Sequence, residues 1–266
     1  MFTSPGSIAF SIHNIDVHWY GITMSLSMLL GLFTVLIIRK NFFKEITVDS
    51  IFDIAFFLII VGIVSARFYY VLVDWSYFSK HPLEIPAIWN GGISIQGAIL
   101  GCIFTFLEYS KEKNLNFFRY ADLLCFGLLT GQILGRWGNF FNSEAFGLPT
   151  NLPWKLYIPF EARPIEYKGF EFFHPTFLYE SIGNLIIFLI LLFVIFKFKN
   201  IKNGTIFYTY IILYSFLRIF TEHIRIDSVL NVFGIPIAQI TSILLIIFAI
   251  IGLYFLYGKD KSNSLY

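Results

Sequence analysis

Long apolar segments dominate the chain, and charged residues gather in the short stretches between them. A helix that crosses the hydrocarbon core of a bilayer needs about 20 mostly apolar residues. Seven segments meet this requirement: residues 19–38, 51–73, 92–109, 121–141, 176–196, 205–222 and 236–257. The third and the sixth carry more glycine or more polar groups than the others. The pattern predicts an all-α, polytopic integral membrane protein with about seven transmembrane helices.

The longest connection between these segments covers residues 142–175. It is rich in proline, glycine, tryptophan and charged residues, and no repeat of fixed period is visible anywhere in the chain. We interpret residues 142–175 as a small extracytoplasmic head, or a re-entrant segment, that belongs to a single membrane domain covering residues 1–266.

Composition agrees with a membrane protein and excludes several other classes. The chain is 57% hydrophobic and only 14% charged, whereas an ordinary soluble domain carries about 25% charged residues. Disordered chains, nucleic-acid-binding proteins and secreted disulfide scaffolds are excluded on the same grounds. Cys102 and Cys125 lie in apolar runs without CxxC spacing, so we expect them to be buried apolar residues and expect no metal site.

The lysines and arginines predict the orientation of the spans. Eleven of the 19 lie after the first, third and fifth spans or in the C-terminal tail, five lie on the opposite side, and three lie inside spans. Because basic residues accumulate on the cytoplasmic side of membranes, the N-terminus is predicted outside and the C-terminus in the cytoplasm. The three arginines inside spans are Arg67, Arg136 and Arg218, and for Arg67 we expect a structural ion pair with Asp53 or Asp74.

The outer end of the fourth span carries polar residues that helix packing does not require. Arg136 and Asn139 are three residues apart and therefore share one helix face. The preceding glycines recur every fourth residue, at positions 127, 131 and 135, and predict a smooth face that another helix approaches closely. An ionisable group inside a span costs several kcal/mol unless it meets a partner or a wet cavity. Arg136 therefore points to an anion or to a substrate carbonyl.

The sixth span ends in a ladder of polar side chains on one helix face: Tyr214, Arg218, Glu222 and Arg225. Arg218 and Glu222 alone could form a self-contained ion pair that fixes helix packing. Two arginine-bearing helix ends on the same outer side favour a shared anionic ligand instead. The guanidinium fork suits phosphate, and the commonest phosphate in a membrane belongs to a lipid head group. His174 and Glu180, at the start of the fifth span, are expected to be structural hydrogen-bond partners.

Five sequence blocks in order resemble the prolipoprotein diacylglyceryl transferase family of bacterial inner membranes. They are HWYG at 18–21, GGISIQG at 91–97, GRWGNFFNSEAFG at 135–147, HPTFLYE at 174–180 and YSFLRI at 214–219. The resemblance implies transfer of a diacylglyceryl group from phosphatidylglycerol to the lipobox cysteine thiol of a preprolipoprotein, without cofactor or metal and without nucleic acid. It also implies the site residues: catalytic Arg136, Arg218, Tyr20 and Gln96, and lipid-binding Arg136, Asn139, Glu144, Gly147, Tyr214 and Arg218.

One position departs from the family pattern. Many members carry a histidine where this chain has Gln96, and glutamine cannot act as a general base. Glu144 and His174 are the alternative acceptors for the thiol proton. From the residues alone, a membrane transporter or channel with an arginine-lined anion or lipid site is a rival interpretation. Against it, the spans show no inverted repeat of the kind that transporters carry.

Overall fold

Helices make up most of the computed structural model, which describes residues 1–13, 15–198, 201–226, 231–232 and 234–263. Each of the seven predicted segments overlaps a long helix, with ends that differ by up to six residues. These helices are α1 (Trp19–Phe42), α2 (Val48–Val73), α4 (Ile95–Glu112), α5 (Phe117–Phe141), α6 (Thr176–Lys197), α7 (Thr205–Ile224) and α8 (Ile237–Asn263). A single helical turn, α3 (Trp75–Phe78), follows α2.

Five of the long helices, α1, α2, α5, α6 and α8, are long and apolar enough to cross a membrane. The chain is therefore a multi-pass membrane protein. The two helices outside this set, α4 and α7, match the third and sixth predicted segments, which the sequence already marks as more polar. The structure also contains short strands, which the all-α prediction omits.

The strands form three small sheets. β2 (Ile8–Ile12) and β3 (Ile15–His18) make an antiparallel hairpin directly before α1. β1 (Phe2–Thr3) pairs in parallel with β4 (Leu156–Tyr157), which pairs in turn with β5 (Phe172–Phe173). β6 (Asn231–Val232) and β7 (Ile235–Pro236) form the third sheet, before α8. Most of these strands are two residues long, too short to show the alternation of apolar and polar residues that reveals a strand in a sequence.

The chain divides into two compact units. The first contains Met1–Ile38 and Ala121–Tyr266, and the second contains Arg39–Tyr120. In the first unit α6 packs on α7 and α7 packs on α8. Helices α1 and α5 approach each other so closely that a Cβ atom on Gly31 would lie 2.9 Å from the Gly127 carbonyl oxygen. Gly127 therefore meets the predicted close approach, whereas a Cβ at Gly131 would meet open space.

Residues 142–175, the predicted head, fold onto the ends of α5 and α6 in the first unit. A buried apolar cluster holds them there, formed by Phe140, Phe146, Leu156, Ile158, Phe173 and Phe177. Short 3-10 turns at Phe160–Ala162 and Ile165–Tyr167 complete the segment. Arg163, which is buried, donates from Nε to the Ile158 carbonyl at 2.9 Å. Burial of one continuous apolar cluster fixes this segment relative to the helix ends.

Asp122 ties α5 to the start of α7. Its buried carboxyl group accepts hydrogen bonds from the backbone N–H groups of Gly204 at 2.7 Å and Phe207 at 2.8 Å. The first N–H groups of a helix have no partner within the helix, and a carboxylate is also favoured at the positive end of the helix dipole. Asp122 therefore caps α7 from another helix.

Replacing Asp122 with asparagine is expected to destabilise the fold by about 2 kcal/mol, because it removes a charged acceptor of two buried N–H groups. For a chain of this size that corresponds to a fall in Tm of about 4–8 °C, measured by thermal unfolding in detergent. Asp16→Asn is the matched control, since Asp16 is exposed and accepts from Ser11 Oγ in the hairpin. Equal Tm values for the two variants would contradict the capping role.

In the second unit α2 packs on α4 through glycines. A Cβ on Gly97 would overlap the Ser65 carbonyl oxygen, and one on Gly101 would overlap the Ser65 side chain. These contacts leave no space for a larger residue at either position. Close backbone approach is therefore the role of the glycines that open α4.

The expected ion pair of Arg67 with Asp53 or Asp74 is wrong. The buried Arg67 guanidinium donates instead to four backbone carbonyls, those of Glu84, Ile85, Gly91 and Gly92, at 2.6–2.8 Å. Gly91 and Gly92 have φ values of +83° and +73°, a conformation that glycine adopts at no steric cost. The neutral carbonyl oxygens satisfy the buried cation in place of a carboxylate.

Candidate functional site

Three arginines of the first unit converge on one buried carboxylate, Glu180. The Glu180 side chain is only 3% exposed, and its Oε2 lies 2.6 Å from Arg136 Nη2. Its Oε1 lies 3.5 Å from Arg218 Nη1 and 3.8 Å from Arg225 Nη1. The arginines come from the C-terminal end of α5, from the last two turns of α7, and from the residue that follows α7. A single carboxylate on α6 therefore joins the ends of three chain segments.

A second buried carboxylate, Glu222, belongs to the same group. We call Arg136, Arg218, Arg225, Glu180 and Glu222 together the arginine cluster. Glu222 lies one turn after Arg218 on α7, and its Oε2 is 2.5 Å from Arg218 Nη2. The i,i+4 ion pair that the sequence left as an alternative to ligand binding is therefore present. It does not isolate Arg218, because the same guanidinium also reaches Glu180. The Arg136 and Arg218 side chains stay 24% and 20% exposed, which leaves both accessible to a ligand.

A series of hydrogen-bonded side chains connects Arg136 to Glu144. Arg136 Nη1 donates to Asn139 Oδ1 at 3.4 Å, and Asn139 Nδ2 donates to Glu144 Oε1 at 2.9 Å. Asn142 Nδ2 also donates to that oxygen, at 3.4 Å. The Tyr20 ring, in the first turn of α1, lies against Gly138 of α5, where an added Cβ would be 2.8 Å from Tyr20 Cδ2. The structure thus brings together four of the residues that the sequence selects: Tyr20, Arg136, Asn139 and Glu144.

Gly147 lies where three chain segments meet without space for a side chain. Its backbone pairs with Arg225, and its N–H donates to the His174 carbonyl at 3.0 Å. A Cβ there would lie 2.7 Å from Ile224 Cγ2 and 2.8 Å from His174 Cβ. Gly147 therefore positions the segment that carries Arg225 by close backbone approach.

His174 is the end of a chain of hydrogen bonds. Trp154 Nε1 donates to the Tyr179 hydroxyl at 2.9 Å, and this hydroxyl lies 3.0 Å from His174 Nδ1. Because indole is only a donor, the Tyr179 hydroxyl accepts from Trp154, and the same hydroxyl engages His174 Nδ1. Burial lowers the pKa of His174 below its ordinary value near 6.5, so the ring is neutral at pH 7.

Tyr214 lies one turn before Arg218 on α7 and stacks on Tyr210, with ring centroids 5.7 Å apart and an interplanar angle of 20°. Tyr210 in turn accepts a hydrogen bond from Gln132 of α5 at 2.9 Å. Tyr214 is thus held on the face of α7 that leads to Arg218.

The chain is similar over most of its length to proteins of one known family. The family model described as prolipoprotein diacylglyceryl transferase matches residues 7–255. The phosphatidylglycerol–prolipoprotein diacylglyceryl transferase of Acaryochloris marina is 45% identical, over 98% of this chain and 94% of that protein. Proteins with the same name from Trichormus variabilis and Synechocystis are 44% and 42% identical, each over 98% of this chain and 93% of their own length. The chain belongs to the prolipoprotein diacylglyceryl transferase family.

The predicted resemblance to the prolipoprotein diacylglyceryl transferases is thus confirmed. Among the described residues, no group of three or more His, Cys, Asp or Glu side chains could hold a metal ion. Gln96, assigned to the site by resemblance, lies in the second unit. It is exposed at the start of α4, where its Oε1 accepts a hydrogen bond from Ser94 Oγ at 2.6 Å.

The sequence underestimates two members of the cluster in this transferase-family chain. The sequence predicts only a structural hydrogen-bond partner at Glu180, whereas in the structure its carboxylate is shared by the three arginines. Arg225 was only the last member of a helical ladder, yet it reaches Glu180 from beyond the end of α7. The available signal was an acid at a position inside an otherwise apolar span, because such a group requires a cationic partner.

Proposed function

We propose that this protein transfers the diacylglyceryl group of phosphatidylglycerol to the thiol of the lipobox cysteine in preprolipoproteins and releases glycerol phosphate. Membership of the family and the names of the relatives support this proposal. The observation that carries it is the pair of partly exposed guanidinium groups, Arg136 and Arg218, that share Glu180. Two forks facing one point suit a phosphate with several acceptor oxygens.

The lipid phosphate binds to Arg136 and Arg218 in this proposal. Asn139 and Tyr20 orient the head group, because Asn139 is hydrogen-bonded to Arg136 and the Tyr20 ring packs beside Gly138 on the same helix. Glu144, Gly147 and Tyr214 line the same region. Positive charge at the phosphate favours the transition state, in which charge develops on the departing phosphate oxygen.

The chemical step is a displacement at the C3 carbon of the diacylglyceryl group. A bond forms between the cysteine sulfur and C3 while the bond between C3 and the phosphate oxygen breaks. The electron pair of the broken bond stays on the phosphate oxygen, so glycerol phosphate leaves. A thiol has a pKa near 8.5, and neighbouring arginines increase the fraction of the reactive thiolate.

Glu144 is the better supported of the two alternative acceptors for the thiol proton. The hydrogen bonds from Asn139 and Asn142 both reach its Oε1, and the side chain is exposed beside Tyr20. His174 Nδ1 is already engaged by the Tyr179 hydroxyl at 3.0 Å. Glu144 thus presents an exposed carboxylate, whereas His174 is partly buried and held by Tyr179.

Gln96→Ala is expected to retain turnover within about fivefold of the wild type, since glutamine takes no proton and electrostatics at the arginines supply most of the rate. The measurement is kcat and KM for phosphatidylglycerol with a lipobox peptide. Ser94→Ala, which removes the donor to Gln96, is the companion variant. Loss of turnover in Gln96→Ala with intact lipid binding would contradict this expectation and show that Gln96 is catalytic.

In the cell, we place all seven long helices across the bacterial inner membrane. The predominance of lysine and arginine after the first, third and fifth spans supports an outer N-terminus and a cytoplasmic C-terminus. Residues 142–175 then form the extracytoplasmic head. The arginine cluster is at the outer ends of α5 and α7, on the side where exported preprolipoproteins present their lipobox cysteine.

Transfer from labelled phosphatidylglycerol to a synthetic lipobox peptide tests the function directly. Purified wild-type protein is expected to label the cysteine peptide and to leave a Cys→Ser peptide unlabelled. The second product, glycerol phosphate, is expected in equal amount. A transporter or channel with an arginine-lined site would label neither peptide, and that result would refute the proposed transfer.

A further inference from the structure

The Glu180 carboxylate attracts the arginines, and it also repels any anion that binds to them. A phosphate held by Arg136 and Arg218 lies beside Glu180, because both guanidinium groups contact that carboxylate. Glu180 attracts the arginines but repels the phosphate. Since its side chain is 3% exposed, solvent screens this repulsion weakly. The charge of Glu180 therefore affects which phosphate the cluster retains.

The substrate and the product of the proposed reaction differ in charge. Phosphatidylglycerol contains a phosphodiester with one negative charge. When the bond between carbon and oxygen breaks, the released phosphate becomes a monoester, whose second pKa is about 6 and which carries a charge of about −1.5 to −2 at pH 7. Arginines without a nearby carboxylate would bind this product more tightly than the substrate, and release would be slow.

We propose that Glu180 sets the charge selectivity of the arginine cluster. Its carboxylate permits binding of the singly charged phosphodiester, disfavours the doubly charged phosphomonoester, and thereby promotes release of glycerol phosphate. This inference rests on the proposed function and adds a specificity-determining residue to it. It also predicts that phosphatidic acid, a lipid phosphomonoester, is a poor ligand.

The geometry favours Glu180 over the other carboxylates for this role. Glu222 pairs with Arg218 on its own helix, at 2.5 Å. Glu144 is exposed and is joined to Arg136 only through Asn139. Glu180 is the carboxylate that reaches Arg136 with one oxygen and Arg218 with the other. A phosphate bound to both arginines meets the charge of Glu180 most directly.

A purely structural role for Glu180 predicts a different result. If the carboxylate only anchored the arginines, its removal would weaken the binding of phosphodiesters and phosphomonoesters alike. If it discriminates by charge, its removal strengthens binding of the phosphomonoester more than binding of the phosphodiester. The ratio of the two affinities separates these roles.

The test uses two competitor lipids, phosphatidylmethanol and phosphatidic acid, which share their acyl chains and differ by one methyl group and by charge. Each displaces a fluorescent phosphatidylglycerol from the full-length protein in phosphatidylcholine nanodiscs at pH 8, without peptide. The proteins are the wild type, Glu180→Gln and Glu166→Gln. Glu166→Gln removes the same charge from an exposed position in the turn Ile165–Tyr167.

We expect wild type and Glu166→Gln to bind phosphatidylmethanol at least tenfold more tightly than phosphatidic acid. In Glu180→Gln this preference is expected to fall below threefold, and free glycerol phosphate is expected to compete at least tenfold more strongly. A tenfold change corresponds to about 1.4 kcal/mol. An unchanged preference in folded Glu180→Gln, or equal weakening of both lipids, overturns the inference.

If Glu180→Gln does not fold, the wild-type ratio decides: a tenfold or greater preference for phosphatidylmethanol supports the inference, and a smaller one overturns it. These binding measurements do not require turnover. Failure of the wild type to label the lipobox peptide would refute the proposed function, whereas active wild type without charge preference would refute only the role of Glu180.

Discussion

Arg136→Lys and Arg218→Lys are each expected to lower kcat/KM for diacylglyceryl transfer at least a hundredfold, which corresponds to about 2.7 kcal/mol of lost transition-state stabilisation. The positive charge remains in both variants, so the loss measures the geometry of the guanidinium fork. Arg136 reaches Glu180 with Nη2 and Asn139 with Nη1. A lysine ammonium is a single point charge and cannot keep both partners while it also binds a phosphate.

Arg119→Lys is the control for these two variants. Arg119 lies in the second unit, where it pairs with the exposed Glu45 at 2.5 Å and rests on the Phe43 ring. Arg119 takes no part in the proposed phosphate site, so this variant is expected to transfer at the wild-type rate. Near-normal activity of Arg136→Lys and Arg218→Lys beside that control would disprove the proposal that these two arginines bind the lipid phosphate.

Gly147→Ala is expected to abolish transfer and to lower stability by about 1–3 kcal/mol, the usual cost of forcing an additional methyl group into a packed site. The methyl group would contact Ile224 Cγ2, His174 Cβ and Thr176 Cγ2 at 2.7–3.0 Å. To make space, the strand-like pairing of Gly147 with Arg225 must open. Arg225 then moves away from Glu180. Activity and Tm are measured on the same preparation.

Gly169→Ala is the matched control, because a Cβ at Gly169 meets nothing within 4 Å and the residue lies in the same segment, 142–175. Its Tm and its rate are expected to equal those of the wild type. If Gly147→Ala also transferred at the wild-type rate, the close approach at this position would have no role in the site.

Most of the helical architecture could be predicted from the sequence, because apolar length determines where a chain can form a membrane helix. The same rule identified α4 and α7 as the helices that depart most from a plain apolar span. The strands escaped prediction for a physical reason. β1, β4 and β5 are two residues long and exist because segments distant in the sequence meet, as when Phe2 pairs with Leu156.

Residues of the candidate site could be selected from the sequence, but their pairing could not. Arg136 and Arg218 are conspicuous because each is a cation inside an apolar segment. That Glu180 joins them depends on how α5, α6 and α7 pack, which no local pattern encodes. The error at Arg67 has the same origin. Its carbonyl partners are brought to it by a loop in which Gly91 and Gly92 adopt positive φ, and the sequence alone favoured nearby acids.

Because Asp122 joins α5 to the start of α7, the lengths of these two helices determine where Arg136 and Arg218 lie. Asp122 and Arg136 are fourteen residues apart on α5, about 21 Å of helix, whereas Phe207 and Arg218 are eleven residues apart on α7, about 16 Å. The two helices are joined by the Asp122 hydrogen bonds at one end and carry the arginines at the other. Inserting one residue into α7 between these points would shift Arg218 by about 1.5 Å and rotate it by about 100°. The number of residues in these stretches is therefore set by the distance between the Asp122 cap and the two arginines.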